Sequence, residues 1–283
     1  MDGDGIPDTI FATGPGTPFR VAVVSGADNA TLLVPPFAPF EPGFTAGGFV
    51  AAGDFDHDGR AEFVVTPDQG GGPRVSVYSL PAGGTLTRVA NFFAFEPDFL
   101  GGARAAVGDV NGDGTPDLVL AAGFGGGPRV AVLDGTTLLA TPGRLIPDFF
   151  VFDPNLRDGA YVTAGDFDGD GKADLVFGSG DGGSPRVLIV SGARLLADGP
   201  EAAIGTPLAS FFVGGDETDR GGVRVAVIDA DGDKTPDLAA ASGVGQPGRV
   251  RVYHNPQFTG GEPTDFQDLD PFATTLPGGA FVG

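Results

Sequence analysis

The stretch DFDGDGKAD, residues 166–174, decides the fold because variants of it occur five times along the chain. The other copies read DGDGIPD (2–8), DFDHDGRAE (54–62), DVNGDGTPD (109–117) and DADGDKTPD (229–237). The equivalent aspartates Asp4, Asp58, Asp113, Asp170 and Asp233 are separated by 54, 55, 57 and 63 residues. A recurring period of this size indicates a repeat architecture in which each copy is one structural unit.

Two further signatures recur with the acidic loop. A Gly-rich turn reads GTPFRVAV (16–23), GGPRVSV (71–77), GGPRVAV (126–132), GSPRVLI (183–189) and QPGRVRV (246–252). An aromatic stretch reads PFAPFEP (36–42), FFAFEP (92–97), FFVFDP (149–154), FFVGGD (211–216) and PFATTLP (271–277). Between the turn residues of each unit lie short apolar runs that are typical of strands.

The third unit shows the predicted strand pattern. Its apolar runs are Ala103–Asp109, Leu118–Gly123, Arg129–Asp134 and Leu145–Phe152. The acidic loop joins strands one and two, the Gly-rich turn joins strands two and three, and the aromatic stretch is strand four. Four antiparallel strands per unit are typical of a propeller blade. The sequence therefore predicts an all-β, five-bladed β-propeller with four-stranded antiparallel blades.

The two ends of the chain predict how the ring closes. The last residues, PGGAFVG (277–283), match the first-strand segments near Gly47–Ala52 and Gly101–Ala106. We expect them to supply the missing first strand of the first blade, which would leave no open edge between blades. The prediction is one domain, 1–283, with blades at 1–45 plus 277–283, 46–100, 101–157, 158–219 and 220–276. The alternative is a segment cut from a longer array.

The acidic loop has the pattern of an oxygen cage for a hard cation. Carboxylates alternate at positions one, three and five, glycine at position six turns the backbone, position seven offers its carbonyl and position nine closes the cage. The predicted ligands are Asp2, Asp4, Ile6 and Asp8; Asp54, Asp56, Asp58, Arg60 and Glu62; Asp109, Asn111, Asp113, Thr115 and Asp117; Asp166, Asp168, Asp170, Lys172 and Asp174; Asp229, Asp231, Asp233, Thr235 and Asp237.

An EF-hand does not explain these loops. Position twelve, where that loop needs a bidentate Glu, is apolar in every copy. The residues there are Phe11, Val65, Leu120, Phe177 and Ala240. Because crowded carboxylates repel each other, we predict up to five bound ions, and flexible oxygen ligands favour calcium over magnesium.

Departures from the pattern rank the five sites. The loops that begin at Asp54 and Asp166 carry four carboxylates and are predicted to bind most tightly. Asn111 replaces a carboxylate in the third loop. Lys234 replaces glycine in the fifth, where a left-handed conformation costs about 1 kcal/mol. The first loop lacks position one, so the site at Asp2 is predicted to be the weakest.

The repeated motifs resemble those of a known family. The fivefold motif is similar to the FG-GAP or VCBS repeats of integrin α-type, calcium-binding β-propellers, over essentially the whole length. The resemblance implies calcium loops on one face, where they brace the blades, with ligand contacts commonly on the opposite face. It fixes no activity, because this family serves adhesion, lectin and enzyme-appended roles.

Composition limits the class of partner. The chain has 37 acidic and 16 basic residues and a net charge of −21, which argues against nucleic acid and anionic membranes. It has no Cys, and no apolar run approaches a membrane span. We expect a monomer or a domain of a larger protein, located outside the cell or at its surface, whose targeting segment is not present in this chain.

Two functions fit these observations. The first is a non-catalytic, calcium-stabilised binding or scaffold module for a protein or glycan, and the absence of Trp weakens the glycan reading. The second is a glycosidase-like enzyme with carboxylates in the central channel. Its conceivable acids are Asp148, Asp181, Asp216, Glu217 and Asp219, while no catalytic residue is assigned.

Other recurrent residues are interpreted as structural. An arginine opens the third strand of every unit, and we expect it to pair with a carboxylate such as Glu41, Glu96 or Asp153, or with carbonyls of the turn. These arginines are Arg20, Arg74, Arg129, Arg186 and Arg249. The two histidines, His57 and His254, are interpreted as surface residues.

Overall fold

The computed structural model describes residues 1–254, 258, 261–270 and 278–282. The described strands are β1 (Thr9–Ala12), β2 (Val21–Val24), β3 (Leu32–Phe37), β4 (Gly48–Gly53), β5 (Glu62–Pro67), β6 (Arg74–Ser79), β7 (Thr87–Phe93), β8 (Ala103–Gly108), β9 (Asp117–Ala122), β10 (Arg129–Leu133), β11 (Arg144–Phe150), β12 (Ala160–Gly165), β13 (Asp174–Ser179), β14 (Arg186–Val190), β15 (Ala209–Phe212), β16 (Val223–Ile228), β17 (Asp237–Ser242), β18 (Val250–Tyr253) and β19 (Phe266–Leu269). Short helices are α1 (Gly135–Leu138), α2 (Gly192–Ala197), α3 (Pro200–Gly205) and a 3-10 turn at Val213–Gly215.

The strands form five sheets, each in simple sequence order. The sheets are β1–β3, β4–β7, β8–β11, β12–β15 and β16–β19. The first contains three described strands and the other four contain four each. The fold is therefore all-β, with the antiparallel blades of a β-propeller, as the sequence predicts.

The second strand of each complete blade is the most buried. Every residue of β5, β9 and β13 is buried, and β17 is buried except at its last residue. Their near-continuous apolar sequences fit strands covered on both faces. Each acidic loop ends at the first residue of such a strand, so its position nine is held by the best-packed part of the blade.

The chain divides into two compact units. The first comprises 1–107, 114–122 and 131–147, and the second comprises 108–113, 123–130 and 148–283. In the first unit the rings of Phe63 and Tyr78 stack at 5.3 Å. In the second, Phe177 meets Phe149 edge to face with ring centroids 6.4 Å apart. Aromatic packing of this kind contributes to the interior of both units.

Two details differ from the sequence-based prediction. The fourth strands end at the start of the aromatic stretches, as β7 does at Phe93, and the remainder of each described stretch forms the following turn. Helices were not expected, yet α1 and α2 follow third strands directly. Their first turns are capped by the side chains of Asp134 and Ser191, residue types that favour a helix start.

The C-terminal segment packs against the fifth blade. The Ala280 amide donates to the Ser242 carbonyl at 3.0 Å, and the Arg224 guanidinium donates to the Gly278 carbonyl at 2.9 Å. Arg224 also lies 4.5 Å from the centroid of the Phe281 ring. Residues 278–282 are not in a strand, and Pro277 and Gly283 lie outside the described residues, as does the aromatic stretch 271–277. Pairing of this segment with the first blade stays a prediction, as do the single domain and the blade boundaries.

No helix within the described ranges is long and apolar enough to span a membrane.

Candidate metal-binding loops

The five acidic loops have one backbone conformation. Each complete copy connects the first and second strands of its blade, and the first copy leads into β1. Positions four and six of every loop have positive φ. Eight of these ten residues are glycine, and the two exceptions are His57 at position four (φ 58°) and Lys234 at position six (φ 69°). The left-handed conformation predicted for Lys234 is confirmed, while that of His57 was not foreseen.

The loop carboxylates organise their own backbone. In the fourth loop, Asp166 accepts hydrogen bonds from the Gly169 amide at 2.8 Å and the Gly171 amide at 2.9 Å. Asp170 accepts the Lys172 amide at 2.9 Å. The left-handed residues turn the backbone so that its amides face the acids, which fixes the loop and holds its carboxylates together.

Three loops bring their acids close enough to share a cation. In each, three ligand atoms lie within 4.8 Å of one another. These clusters are Asp54, Asp56 and Asp58; Asp166, Asp168 and Asp174; and Asp229, Asp231 and Asp233. They belong to the second, fourth and fifth loops of the sequence analysis.

The second loop also contains carboxylate oxygens that no protein group satisfies. Oδ1 of Asp54 and Oε1 of Glu62 are buried and have no hydrogen-bond partner in the described part of the chain. A buried, unpaired oxygen of a charged group is costly. The donor set, oxygen atoms from flexible carboxylates, fits a hard cation such as calcium.

The carboxylate at position nine has a structural role that the sequence did not reveal. Asp174 is fully buried, and its Oδ2 accepts the amides of Phe167 (2.8 Å) and Asp168 (3.2 Å) in the loop. Its Oδ1 accepts the Gly192 amide (3.1 Å), just beyond the third strand. Burial raises the pKa of Asp174 to about 7, and the charge of Asp168 adds to that shift. Position nine therefore ties the loop to the far end of the blade.

The same tie recurs in other blades. Asp8 accepts the Gly26 amide at 3.0 Å, and the buried Asp117 accepts the Gly135 amide at 2.9 Å. The chain passes so closely here that a Cβ on Gly192 would lie 2.2 Å from the Ala173 carbonyl oxygen, which explains the glycine at this point. Glu62 is also fully buried, and burial raises its pKa.

In the fifth blade a histidine lies next to the position-nine acid. His254 follows β18, and its Nδ1 lies 3.7 Å from Oδ2 of the buried Asp237. The Asp237 carboxylate also accepts the Ala230 amide at 2.8 Å. His254 is partly exposed, and its ring also packs beside the position-nine acid.

The first and third loops differ from the others. In the first, the N-terminal ammonium of Met1 lies 3.3 Å from Oδ2 of Asp8. In the third, the side-chain amide of Asn111 donates to Asp113 at 2.8 Å, so part of that carboxylate is satisfied by protein. The predicted order of the five sites stays a prediction.

Contacts link successive loops. Nε2 of His57 lies 2.9 Å from the Thr115 hydroxyl, between the second and third loops. The Lys172 ammonium donates to the Asn111 carbonyl at 2.5 Å, between the fourth and third. Both involve position seven, whose carbonyl was predicted to be a ligand at Ile6, Arg60, Thr115, Lys172 and Thr235. Coordination by these carbonyls stays a prediction.

The recurrent arginines are structural in several blades. Arg74 lies 3.3 Å from Glu41, as predicted. Arg129 instead pairs with Asp148 of its own blade at 2.7 Å. In the fifth blade Arg251, two residues after Arg249, binds Asp268 at 2.7 Å. The recurrent arginines of the second and third blades thus pair with different carboxylates.

We expect Asp174→Asn to destabilise the metal-free protein by about 1 to 3 kcal/mol. In the variant, the side-chain NH₂ group would face a backbone N–H group whose hydrogen bond the carboxylate now accepts. Because both groups are donors, that N–H group would be left buried and unpaired. Urea unfolding in EDTA measures the change. The matched control is Asp170→Asn, which keeps the oxygen that accepts the Lys172 amide and is exposed. Equal losses in the two variants would contradict the role of position nine.

Lys234→Gly should stabilise the protein by about 0.5 to 1 kcal/mol. Glycine adopts positive φ without the steric cost of a side chain, although it loses more backbone entropy on folding. Thr235→Gly is the control, since Thr235 is not among the residues with positive φ and the change should destabilise. Urea midpoints of both variants in EDTA test this, and a less stable Lys234→Gly protein would refute it.

Comparisons with known proteins agree with the repeats. A family model described as the FG-GAP-like repeat matches residues 54–120 and 109–177. No curated protein matches the chain. Three solved structures, all rhamnogalacturonan lyases, resemble it at low identity, and the chain spans about 60% of their length.

The exotype lyase YesX is 14% identical with a TM-score of 0.43, and the match covers 95% of this chain and 58% of that chain. The lyase YesW is 12% identical with a TM-score of 0.42, and the match covers 97% of this chain and 64% of that chain. The Bacillus licheniformis lyase PL11 is 14% identical with a TM-score of 0.41, and the match covers 94% of this chain and 60% of that chain. The residues that the family model matches contain the acidic loops of the second, third and fourth blades and the strands from β5 to β12. Residues 54–177 therefore match the FG-GAP-like repeat, and the sheets of the chain are the blades of a β-propeller.

Proposed function

We propose that this protein is a non-catalytic binding or scaffold module that calcium stabilises through its acidic loops. The observation that carries the proposal is the crowding of three carboxylates within 4.8 Å in each of three loops. Like charges at this distance repel, and a divalent cation removes that cost. The unpaired oxygens of Asp54 and Glu62 provide further support.

Calcium is the ion that suits these loops. The ligands are carboxylates with additional backbone and amide oxygens, and calcium accepts six to eight of them in flexible geometry. The ion would be held by positions one, three, five and nine, with the position-seven carbonyl completing the set. Up to five ions are proposed, most tightly at the loops of Asp54 and Asp166 and least tightly at that of Asp2.

Several properties favour a module outside the cell. Extracellular calcium is plentiful enough to fill loops with dissociation constants of about 0.1 to 1 mM. The net charge of −21 disfavours nucleic acid as a partner. We propose a protein or glycan partner and a location at the cell surface or beyond, for a monomer or a domain of a larger protein.

A glycosidase-like enzyme is the alternative. It needs two carboxylates facing each other without a strong ion pair, roughly 5 to 9.5 Å apart. Among the acids considered for this role, Asp148 is bound by Arg129 at 2.7 Å. Asp181 accepts the Tyr161 hydroxyl at 3.2 Å and Arg224 at 3.3 Å. These partners favour a structural role and support the non-catalytic proposal.

Chelation tests the proposed calcium requirement. EDTA should lower the melting temperature, and added calcium should restore it with a concentration dependence, because a ligand of the folded state stabilises it by mass action. Calorimetric titration of the EDTA-treated and dialysed protein then counts the sites. An unchanged melting temperature, together with no heat of calcium binding, would overturn the proposal; magnesium at the same concentration is the control.

Two aspartate variants test the order of the sites. Asp168→Ala removes a ligand from a complete loop, and Asp2→Ala removes one from the incomplete first loop. The stabilisation by calcium, measured as the difference in melting temperature with and without the ion, should fall more for Asp168→Ala. An equal or reversed fall would contradict the ranking.

A further inference from the structure

A cavity of about 320 Å³ lies in the second unit, away from the acidic loops. It opens between the turn after the third blade and the Gly-rich turn of the fourth. Its lining includes the rings of Phe152 and Phe212 and the side chains of Arg186, Arg220 and Asp158. The volume is within the range of small-molecule sites, and a few polar groups converge on an aromatic wall.

Arg186 occupies an unusual position among the recurrent arginines. Its guanidinium lies 5.5 Å from the centroid of the Phe152 ring. Its Nε and Nη2 both donate to the Ser210 hydroxyl, at 3.2 and 2.9 Å. Of the described residues, no carboxylate lies within 4.0 Å of this guanidinium, so its charge is held by one neutral oxygen and a ring.

The equivalent arginines of neighbouring blades are better neutralised. Arg74 donates to Asn91 at 2.7 Å and reaches Glu41 at 3.3 Å. Arg129 binds Asp148 through two nitrogens, at 2.9 and 2.7 Å. Burial lowers the pKa of Arg186, as expected for a guanidinium that has lost water without gaining an anion.

A second arginine makes this cavity more cationic. Nη1 of Arg220 donates to the Ser184 hydroxyl and to the carbonyls of Glu217 and Asp219, all at 2.7 Å. These partners are neutral oxygens. They hold the guanidinium in place at the wall of the cavity, and the charge of Arg220 interacts with that of Asp216, which does not line the cavity.

The acids that line the cavity do not neutralise Arg186. Asp153 turns toward its own loop, where it accepts the amide and the side-chain nitrogen of Asn155, both at 2.9 Å. Asp158 is partly desolvated; burial raises its pKa, and the charge of Asp181 raises it further. The lining thus contains two arginines and two aspartates, and within the described residues neither aspartate forms an ion pair with Arg186.

We propose that this cavity binds a small organic carboxylate, with its carboxylate on Arg186 and its apolar face against Phe152 and Phe212. A planar guanidinium suits a carboxylate, and the free Nη1 edge of Arg186 has no donor contact to protein in the described residues. The inference rests on the proposed binding role and gives it a ligand class. It is independent of calcium, because the acidic loops contribute no residue to the lining.

Binding of matched acid and neutral probes tests the site in the calcium-saturated protein. D-glucuronate is compared with D-glucose, and N-acetylglutamate with N-acetylglutamine, by chemical-shift titration or calorimetry. At least one acid should bind at least tenfold more tightly than its neutral partner. Preference for glucuronate identifies a sugar acid as the source of the carboxylate, and preference for N-acetylglutamate identifies an acidic peptide; equal affinity for acid and neutral probes overturns the proposal.

Substitution of the arginine locates the site. Arg186→Gln should weaken binding of the acid at least tenfold, while Arg74→Gln, the equivalent residue already paired with Glu41, should not change it. Melting temperatures establish that both variants are folded, and Arg186→Lys, which retains the charge, provides a second variant if Arg186→Gln does not fold. Unchanged affinity in a folded Arg186→Gln protein, or an equal loss in Arg74→Gln, overturns the assignment. Carboxylate binding by a protein that calcium does not stabilise would refute only the calcium proposal.

Discussion

A buried carboxylate at position nine is the interaction on which each blade depends. In the fourth blade one oxygen of Asp174 holds the loop between strands one and two, and the other holds the Gly192 amide beyond strand three. The loop is thereby fixed to a strand that is distant in sequence but adjacent in space. These donors reduce the cost of burying the acid without removing it, since burial still raises the pKa of Asp174 to about 7. The tie also holds the loop in place, so that its remaining carboxylates can converge.

Much of this architecture follows from the sequence because its determinants are local. Alternating acids, turn residues and apolar runs repeat five times, and the strands of the third blade lie within two residues of their predicted bounds. The backbone at Lys234 was also predictable, because four other copies have glycine at position six. A repeat supplies its own comparison, so a departure in one copy can be interpreted against the other four.

Other features depend on contacts that sequence patterns do not encode. The partner of Asp174 lies eighteen residues away, at a glycine that no loop motif includes. The left-handed conformation of His57 matches that of the glycines at position four in the other copies. His254 lies beside Asp237 only after strands β17 and β18 pair. The recurrent arginines share a position in the repeat but differ in their partners on the fourth strand. Arg129 pairs there with Asp148, whereas Arg186 donates to the neutral Ser210.

The contacts among the second, third and fourth loops are of the nearest-neighbour kind found in repeat arrays. The third loop is contacted from the second through His57 and from the fourth through Lys172. In such an array each repeat is coupled to its immediate neighbours, and the coupling decays with distance along the series. Damage to one loop is then shared with the adjacent repeats, while blades farther away keep their own stability. The effect of a substitution on stability therefore depends on the adjacent repeats as well as on the residue type.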